Sequence, residues 1–143
     1  MAVTTTRDRR RRAVFLDKDG TLIADVPYNV DPRRIRLLPG VLDGARRLYA
    51  AGYRLVVVTN QPGVALGFFA AEALDAVEQA LREAFLDAGA PLSGFYYCPH
   101  HPAGHVRPYA GACTCRKPMP GLLHAAARAL DIDLEHSWMV GDI

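Results

Sequence analysis

Short apolar runs alternate along this chain with longer segments in which apolar residues recur at helical spacing. Each run has the length of a strand and is bounded by polar or turn-forming residues, which is typical of buried strands. The four runs are Ala13–Leu16, Leu55–Val58, Phe95–Tyr97 and Trp138–Val140. The pattern predicts four strands, and it also predicts that Trp138 lies in the core.

Three segments between these runs carry an apolar stripe of helical period. Two of them start directly after a Pro-Gly pair, a combination that marks turns between elements. The predicted helices span Val41–Ala50, Ala71–Ala88 and Leu122–Leu130. Because helices and strands alternate, the sequence predicts an α/β fold built on a doubly wound, Rossmann-like parallel sheet.

Polar residues follow every predicted strand. In open α/β sheets, ligands bind outside the carboxyl ends of the strands, so these residues should converge on one side of the sheet. The four polar segments are Asp17-Lys18-Asp19-Gly20-Thr21, Thr59-Asn60-Gln61, Cys98-Pro99-His100 and Gly141-Asp142. Their convergence favours an enzyme.

Asp17 and Asp19 form the first candidate site. They are two positions apart just after a strand, so both side chains point to the same side if the chain stays extended. Two adjacent carboxylates repel unless one is protonated or a cation lies between them. Mg²⁺ prefers oxygen ligands and can bridge to phosphate, and Asp142 could supply a third ligand. The alternative is an ordinary turn in which Lys18 is a solvated neighbour. A calcium-binding EF-hand loop is excluded, because its twelfth position requires a glutamate and is Tyr28 here.

The three cysteines suggest a second metal site. Their odd number and tight spacing favour a metal in a reducing compartment over a disulfide framework. With one histidine they make a Cys₃His set, which suits tetrahedral Zn²⁺. The candidate ligands are Cys98, His100, Cys113 and Cys115. His101 and His105 are rivals for the histidine position.

Composition and charge narrow the class of protein. With 143 residues, 50% of them hydrophobic, the chain suits one domain with a real core. Five of the 17 basic residues and one of the 15 acidic residues lie in residues 1–12, which leaves 12 basic and 14 acidic residues and a body charge of −2. We expect residues 1–12 to be a disordered basic leader and residues 13–143 to be the domain. The acidic body does not favour nucleic acid as a partner.

No apolar run is long enough to span a membrane, and no secretory signal is present, so we expect a cytoplasmic protein.

The motifs resemble a known family. Phe15–Leu22, Val57–Gln61, Lys117 and Val140–Asp142 are similar, in this order, to the four motifs of the haloacid dehalogenase-like phosphatases. Tyr96–Pro102 followed by Cys113–Pro118 resembles the zinc loop of one subfamily. That subfamily contains the D-glycero-D-manno-heptose 1,7-bisphosphate 7-phosphatases and the histidinol-phosphate phosphatases. The resemblance extends from Ala13 to Asp142.

The resemblance implies a mechanism and roles for particular residues. Asp17 would be the nucleophile, Asp19 the general acid and base, and Thr59 and Lys117 would stabilise the phosphoryl group. Mg²⁺ would be held by Asp17, Asp19 and Asp142, and a structural Zn²⁺ would organise a loop at about residues 98–115. The substrate would be bordered by Asp25, Val26, Pro27, Tyr28, Thr59, Asn60, Gln61, Pro62, Arg116 and Lys117.

The resemblance also implies a function and an architecture. The expected reaction removes the 7-phosphate from D-glycero-D-manno-heptose 1,7-bisphosphate, a small phosphorylated sugar, and the expected protein is a monomer. Hydrolysis of histidinol phosphate is one alternative, and a zinc-supported binding module with weakened or lost catalysis is another. The motif spacing leaves no room for a cap domain. Because members of the family continue past the equivalent of Asp142, the C-terminal part is expected to be truncated at Ile143.

Overall fold

The computed structural model describes residues 11–141, and its centre is a parallel sheet. The strands are β1 (Ala13–Leu16), β2 (Arg54–Asn60), β3 (Leu92–Cys98) and β4 (Trp138–Val140). They lie in the order β3-β2-β1-β4, and every pairing is parallel. Strands β2 and β3 are thus added in turn on one side of β1, and β4 is added on the other side of β1. This topology confirms the predicted doubly wound fold, with the switch in strand order between β1 and β4.

Three α-helices connect the strands. They are α1 (Val41–Ala50), α2 (Leu74–Asp87) and α3 (Gly121–Leu130). The prediction for α1 is confirmed at both ends. The predicted start of α2 was three residues early, because Ala71–Ala73 form a 3₁₀ turn before the α-helical bonding begins. Two further 3₁₀ turns lie at Pro32–Arg34 and Leu134–His136.

The helices cover both faces of the sheet. On one face, Ala45 of α1 and the stripe Val77, Leu81 and Phe85 of α2 pack against alternate residues of β1 and β2. On the other face, Leu122 and Ala126 of α3 pack against the intervening residues. The two central strands are therefore buried on both sides, which explains why their sequences are continuous apolar runs.

Strand β4 corrects one prediction. Trp138 is 65% exposed, so the prediction that it lies in the core is wrong. Its strand is at the edge of the sheet and pairs with β1 alone among the described strands. Met139 and Val140 are exposed as well. An apolar run predicts a strand, but it does not tell a central strand from an edge strand.

The last two residues of the predicted leader contact the domain. The Arg11 carbonyl accepts a hydrogen bond from the Asp133 N–H at 2.7 Å, and the Arg12 carbonyl accepts one from the Arg54 N–H at 2.9 Å. The Arg12 guanidinium also lies over the Tyr53 ring, 4.7 Å from its centroid. Residues 1–10 lie outside the described part of the chain. Within residues 11–141, no helix has the length and apolar character needed to span a bilayer.

Candidate active site

The segment that leaves β1 is a tight, well-bonded turn. The Lys18 carbonyl accepts from three successive N–H groups, those of Thr21, Leu22 and Ile23, at 2.9–3.3 Å. Gly20 has a φ of 81°, a left-handed conformation that glycine adopts without steric cost. The Asp17 N–H donates to the Val140 carbonyl at 2.9 Å, so the ends of β1 and β4 lie side by side. The turn therefore holds its two aspartates at the carboxyl edge of the sheet.

Asp17 is buried and paired with a lysine from a distant part of the chain. Lys117 Nζ donates to Asp17 Oδ1 at 2.6 Å and to the Val58 carbonyl at 3.1 Å. The backbone N–H of Lys18 donates to the same Asp17 oxygen at 2.9 Å. A charged donor on a carboxylate makes a short, strong hydrogen bond, so the orientation of Asp17 is fixed.

Asp19 is held from two sides. Lys18 Nζ lies 3.0 Å from Asp19 Oδ1, and Gln61 Nε2 lies 3.3 Å from Asp19 Oδ2. Gln61 Nε2 also lies 2.9 Å from Thr59 Oγ1, so one amide links Thr59 to Asp19. Lys18 is buried, with 2% of its surface exposed, and the alternative in which it is a solvated neighbour is wrong. The structure thus brings together Asp17, Asp19, Thr59 and Lys117.

Asn60 joins the end of β2 to the backbone of Lys117. Its Oδ1 accepts from the Lys117 N–H at 2.9 Å, and its Nδ2 donates to the Lys117 carbonyl at 3.2 Å. Sequence reasoning assigned Asn60 only to the substrate border and missed this bond pair. No periodicity or spacing could have revealed it, because the partners are 57 positions apart.

Of the predicted substrate-binding residues, Thr59 and Gln61 are buried in the network described above. Most of the others lie in two partly exposed regions. In the first, Tyr28 is exposed with a left-handed φ of 56°, and its ring stacks on Phe68 with centroids 4.4 Å apart. Asp25 and Pro27 are exposed beside it, whereas Val26 is half-buried, as is Pro62 on the neighbouring loop after β2. Phe68 is 61% exposed, and no motif or spacing in the sequence predicted its contact with Tyr28.

The second region surrounds Arg116. Arg116 and Lys117 line a cleft of about 210 Å³ together with Cys113 and Met119. Arg116 Nη1 is buried and has no hydrogen-bond partner in the described part of the chain. Arg116 and Lys117 bring two basic side chains to the lining of the cleft, so the cleft suits an anionic or hydroxyl-bearing ligand.

The loop after β3 gathers the four predicted ligands of the second metal. Their ligand atoms, Cys98 Sγ, His100 Nδ1, Cys113 Sγ and Cys115 Sγ, all lie within 4.8 Å of one another, so the cluster could hold a metal ion. The rival His101 instead accepts a hydrogen bond at Nδ1 from the Ala103 N–H at 2.9 Å. Among residues 11–141, neither His101 nor His105 belongs to this cluster.

Burial and hydrogen bonding raise the pKa of two of the three cysteine thiols and lower the pKa of the third. Burial and the neighbouring Cys115 thiol raise the pKa of Cys98, and burial raises the pKa of Cys115. Burial also opposes ionisation of Cys113, but the Arg116 N–H donates to its sulfur at 3.3 Å and the pKa of Cys113 is lowered overall. The backbone at Arg116 therefore favours the thiolate form in which cysteine binds metals.

Asp142, the predicted third ligand for Mg²⁺, lies outside the described residues. The preceding strand nevertheless ends beside Asp17, through the bond between the Asp17 N–H and the Val140 carbonyl. Strand β4 therefore ends at the same edge of the sheet as β1.

Known proteins share both the sequence and the fold. A family model described as HAD-hydrolase-like matches residues 114–143. D-glycero-β-D-manno-heptose-1,7-bisphosphate 7-phosphatases from Yersinia pestis and Escherichia coli K12 are each 42% identical over 130 residues. The matches cover 91% of this chain and 69% and 68% of those relatives.

Two solved crystal structures have folds similar to that of this chain. A HAD-like phosphatase from Mesorhizobium loti has a TM-score of 0.86 at 38% identity, covering 92% of this chain and 63% of that one. A D,D-heptose 1,7-bisphosphate phosphatase from B. bronchiseptica, complexed with magnesium and phosphate, has a TM-score of 0.78 at 34% identity. That match covers 92% of this chain and 70% of the other.

A parallel sheet with two aspartates after β1, a threonine after β2 and a lysine beside Asp17 fits a phosphate-ester hydrolase, the class for which the relatives are named. The chain belongs to the haloacid dehalogenase-like phosphatases and, within them, to the family of the heptose 1,7-bisphosphate 7-phosphatases.

Proposed function

We propose that this chain hydrolyses the 7-phosphate ester of D-glycero-D-manno-heptose 1,7-bisphosphate through a phosphorylated Asp17. The observation that carries the proposal is the network in which Lys117 contacts Asp17 at 2.6 Å while Gln61 links Thr59 to Asp19. The β anomer is our first choice, because the curated relatives are named for it. The proposed setting is the cytoplasm, where thiols such as Cys98 stay reduced.

Asp17 is the proposed nucleophile. Its carboxylate attacks phosphorus, the bond from phosphorus to the sugar oxygen breaks, and an aspartyl-phosphate forms. Lys117 Nζ and the Lys18 N–H both donate to Oδ1, which fixes the carboxylate before the substrate binds. A covalent intermediate divides one difficult displacement into two easier ones.

Asp19 is the proposed acid and base. In the first step its proton passes to the sugar oxygen as that oxygen leaves. In the second step the resulting carboxylate takes a proton from water, which attacks phosphorus and releases inorganic phosphate from Asp17. General acid–base catalysis of this kind typically contributes about 10²–10⁴ in rate.

Thr59 and Lys117 are the proposed partners of the phosphoryl oxygens. Thr59 is buried at the end of β2, and Lys117 is mostly buried beside Asp17, so both are rigidly held. Donors that are already in position cost no reorganisation during the reaction, and removing one typically lowers the rate by about 10²–10³.

The residues at the carboxyl edge fit a magnesium ion. We propose that the Asp17 carboxylate, the Asp19 carbonyl and Asp142 hold it, because hard divalent cations prefer oxygen ligands. When bound, Mg²⁺ would offset the repulsion between the anionic nucleophile and the anionic ester.

The cysteine and histidine cluster fits zinc. A tetrahedron with Zn–S bonds of about 2.3 Å has ligand–ligand edges of about 3.8 Å. Of the six separations in the cluster, four are 3.3–3.6 Å, that between Cys98 and Cys115 is 2.7 Å, and all lie within 4.8 Å. With all four positions filled by protein, the proposed zinc is structural. Because Arg116 and Lys117 directly follow Cys115, it would also orient both of them.

The proposed substrate contacts follow from the two partly exposed regions. The position of Arg116 in the lining of the cleft supports a contact with the second phosphate or a pair of hydroxyls, since the guanidinium fork suits either. Tyr28 and the loop after β2 border the sugar. In this proposal these loops select a small substrate without enclosure by a cap domain.

The test is to measure kcat/KM for D-glycero-D-manno-heptose 1,7-bisphosphate and for histidinol phosphate with saturating Mg²⁺. We expect preference for the heptose ester and no turnover by Asp17→Asn of unchanged fold. Preference for histidinol phosphate would overturn the substrate assignment. Absence of turnover with both esters, and no effect of Asp17→Asn on ligand binding, would instead support the binding module.

A further inference from the structure

Lys18 is buried, and neither the family motifs nor the proposed mechanism assigns a role to its side-chain ammonium group. Its side chain is 3% exposed and its Nζ lies 3.0 Å from Asp19 Oδ1. From this contact we infer that Lys18 is a positioning residue, which holds Asp19 in the orientation needed to protonate the leaving oxygen. This inference rests on the proposed function, in which Asp19 is the general acid.

The surroundings of Lys18 make its pairing with Asp19 strong. Lys18 and Asp19 line one crevice with Asn29 and with apolar residues that include Ile23, Ile35 and Val77, and the crevice is too narrow to hold a water molecule. A buried charge must be paired, because the lost hydration has to be replaced. The Asp19 carboxylate supplies that replacement, so the ammonium group has a strong preference for this one geometry.

The contacts on Asp19 are divided between its two oxygens. Lys18 approaches Oδ1, and Gln61 Nε2 approaches Oδ2 at 3.3 Å. Donors on different oxygens limit rotation of the carboxylate about its bond to Cβ. The Asp19 side chain is still 31% exposed, so it can reach a substrate while it is held from behind. An acid that must deliver a proton to one atom benefits from this restriction, because misplacement by about 1 Å can cost about 100-fold in rate.

The inference predicts a selective defect. A sugar alkoxide is a poor leaving group and needs the proton from Asp19, whereas 4-nitrophenolate leaves without protonation. The kcat/KM value reports steps up to formation of the aspartyl-phosphate, so it isolates the step that uses the acid. Lys18→Met should therefore lower kcat/KM for the heptose bisphosphate by about 100-fold and leave that for 4-nitrophenyl phosphate near the wild-type value.

Three further variants support the comparison. Lys18→Arg keeps a charged donor and should restore part of the lost activity toward the sugar ester. Arg82→Met removes an ion pair with Glu78, 2.8 Å long on α2, and should leave both kcat/KM values unchanged. If Lys18→Met fails to fold, Lys18→Gln keeps a neutral donor and should show the same selective loss to a smaller degree.

The kcat/KM values for the two esters test the role of Lys18 and the proposed function separately. Selective loss with the sugar ester supports the positioning role. Equal losses with both esters, or no loss with either, overturn that role and leave the proposed function intact. A wild-type protein that hydrolyses neither ester overturns the proposed function and the role of Lys18 with it.

Discussion

Asn60 offers a direct test of how the loop after β3 is attached to the active site. Its amide makes two hydrogen bonds to the backbone of Lys117, at 2.9 and 3.2 Å, and Lys117 contacts Asp17 at 2.6 Å. In Asn60→Ala both bonds are lost, while the side chain of Lys117 is unchanged. The variant therefore asks whether Lys117 depends on Asn60 for its position.

The expected magnitudes follow from these contacts. A typical hydrogen bond contributes about 1 kcal/mol net, so losing two should lower the free energy of unfolding by about 2 kcal/mol. For a chain of this size that corresponds to a fall in Tm of about 6 °C. If Lys117 Nζ moves by about 1 Å from Asp17, kcat/KM should fall by about 100-fold. The control Gln79→Ala removes one exposed bond to Glu83 and should change stability by less than about 0.5 kcal/mol.

The assay is a double-mutant cycle on kcat/KM with Lys117→Met. Because Asn60 acts through Lys117 in this account, Asn60→Ala should add little once Lys117 is replaced. A 100-fold effect that disappears in this way is a coupling energy of about 2.7 kcal/mol. Fully additive losses would refute the reasoning, because Asn60 would then act on the reaction independently of Lys117.

Three other predictions concern the zinc loop and the edge of the sheet. Gly121→Ala should destabilise the protein and lower kcat/KM, since a Cβ there would lie 2.3 Å from the Thr114 carbonyl oxygen. The control Gly44→Ala in α1 meets nothing within 4 Å and should be neutral or stabilising by up to about 1 kcal/mol. Thermal melts compare the two variants, and equal changes in Tm would contradict the close packing at Gly121. Removing zinc with a chelator at saturating Mg²⁺ should lower phosphate release, and unchanged turnover after metal analysis verifies zinc loss would contradict the proposed orientation of Arg116 and Lys117. Fluorescence of Trp138, the single tryptophan, should be quenched readily by iodide because the indole is exposed; a protected indole would contradict an open β4 edge.

The sequence predicted the sheet because its central strands are buried on both faces. Such strands read as uninterrupted apolar runs, and β1 was found with its observed bounds. Strand β3 was predicted too short, because Ser93 and Gly94 interrupt the apolar pattern. Gly94 nevertheless pairs with Val56 of β2, and Ser93 lies at an irregularity in the ladder. The misplacement of Trp138 has a similar origin, since hydrophobicity along the chain carries no information on the position of a strand in the sheet.

For the site, residue types were predictable but several contacts were not. The motif order indicated which polar residues converge, because parallel strands end at one edge. The bonds of Asn60 to Lys117 and of Gln61 to both Thr59 and Asp19 depend on side-chain directions that only the folded chain defines. The same holds for Phe68, which meets Tyr28 from a separate loop.

The central claim is that Asp17 becomes phosphorylated during turnover. The direct measurement is acid quenching of the protein during hydrolysis of the heptose bisphosphate with Mg²⁺, followed by mass spectrometry of its peptides. We predict one added phosphoryl group on the peptide that contains Asp17, and none in Asp17→Asn. Turnover without a phosphorylated peptide, or with the phosphoryl group on another residue, would contradict the account.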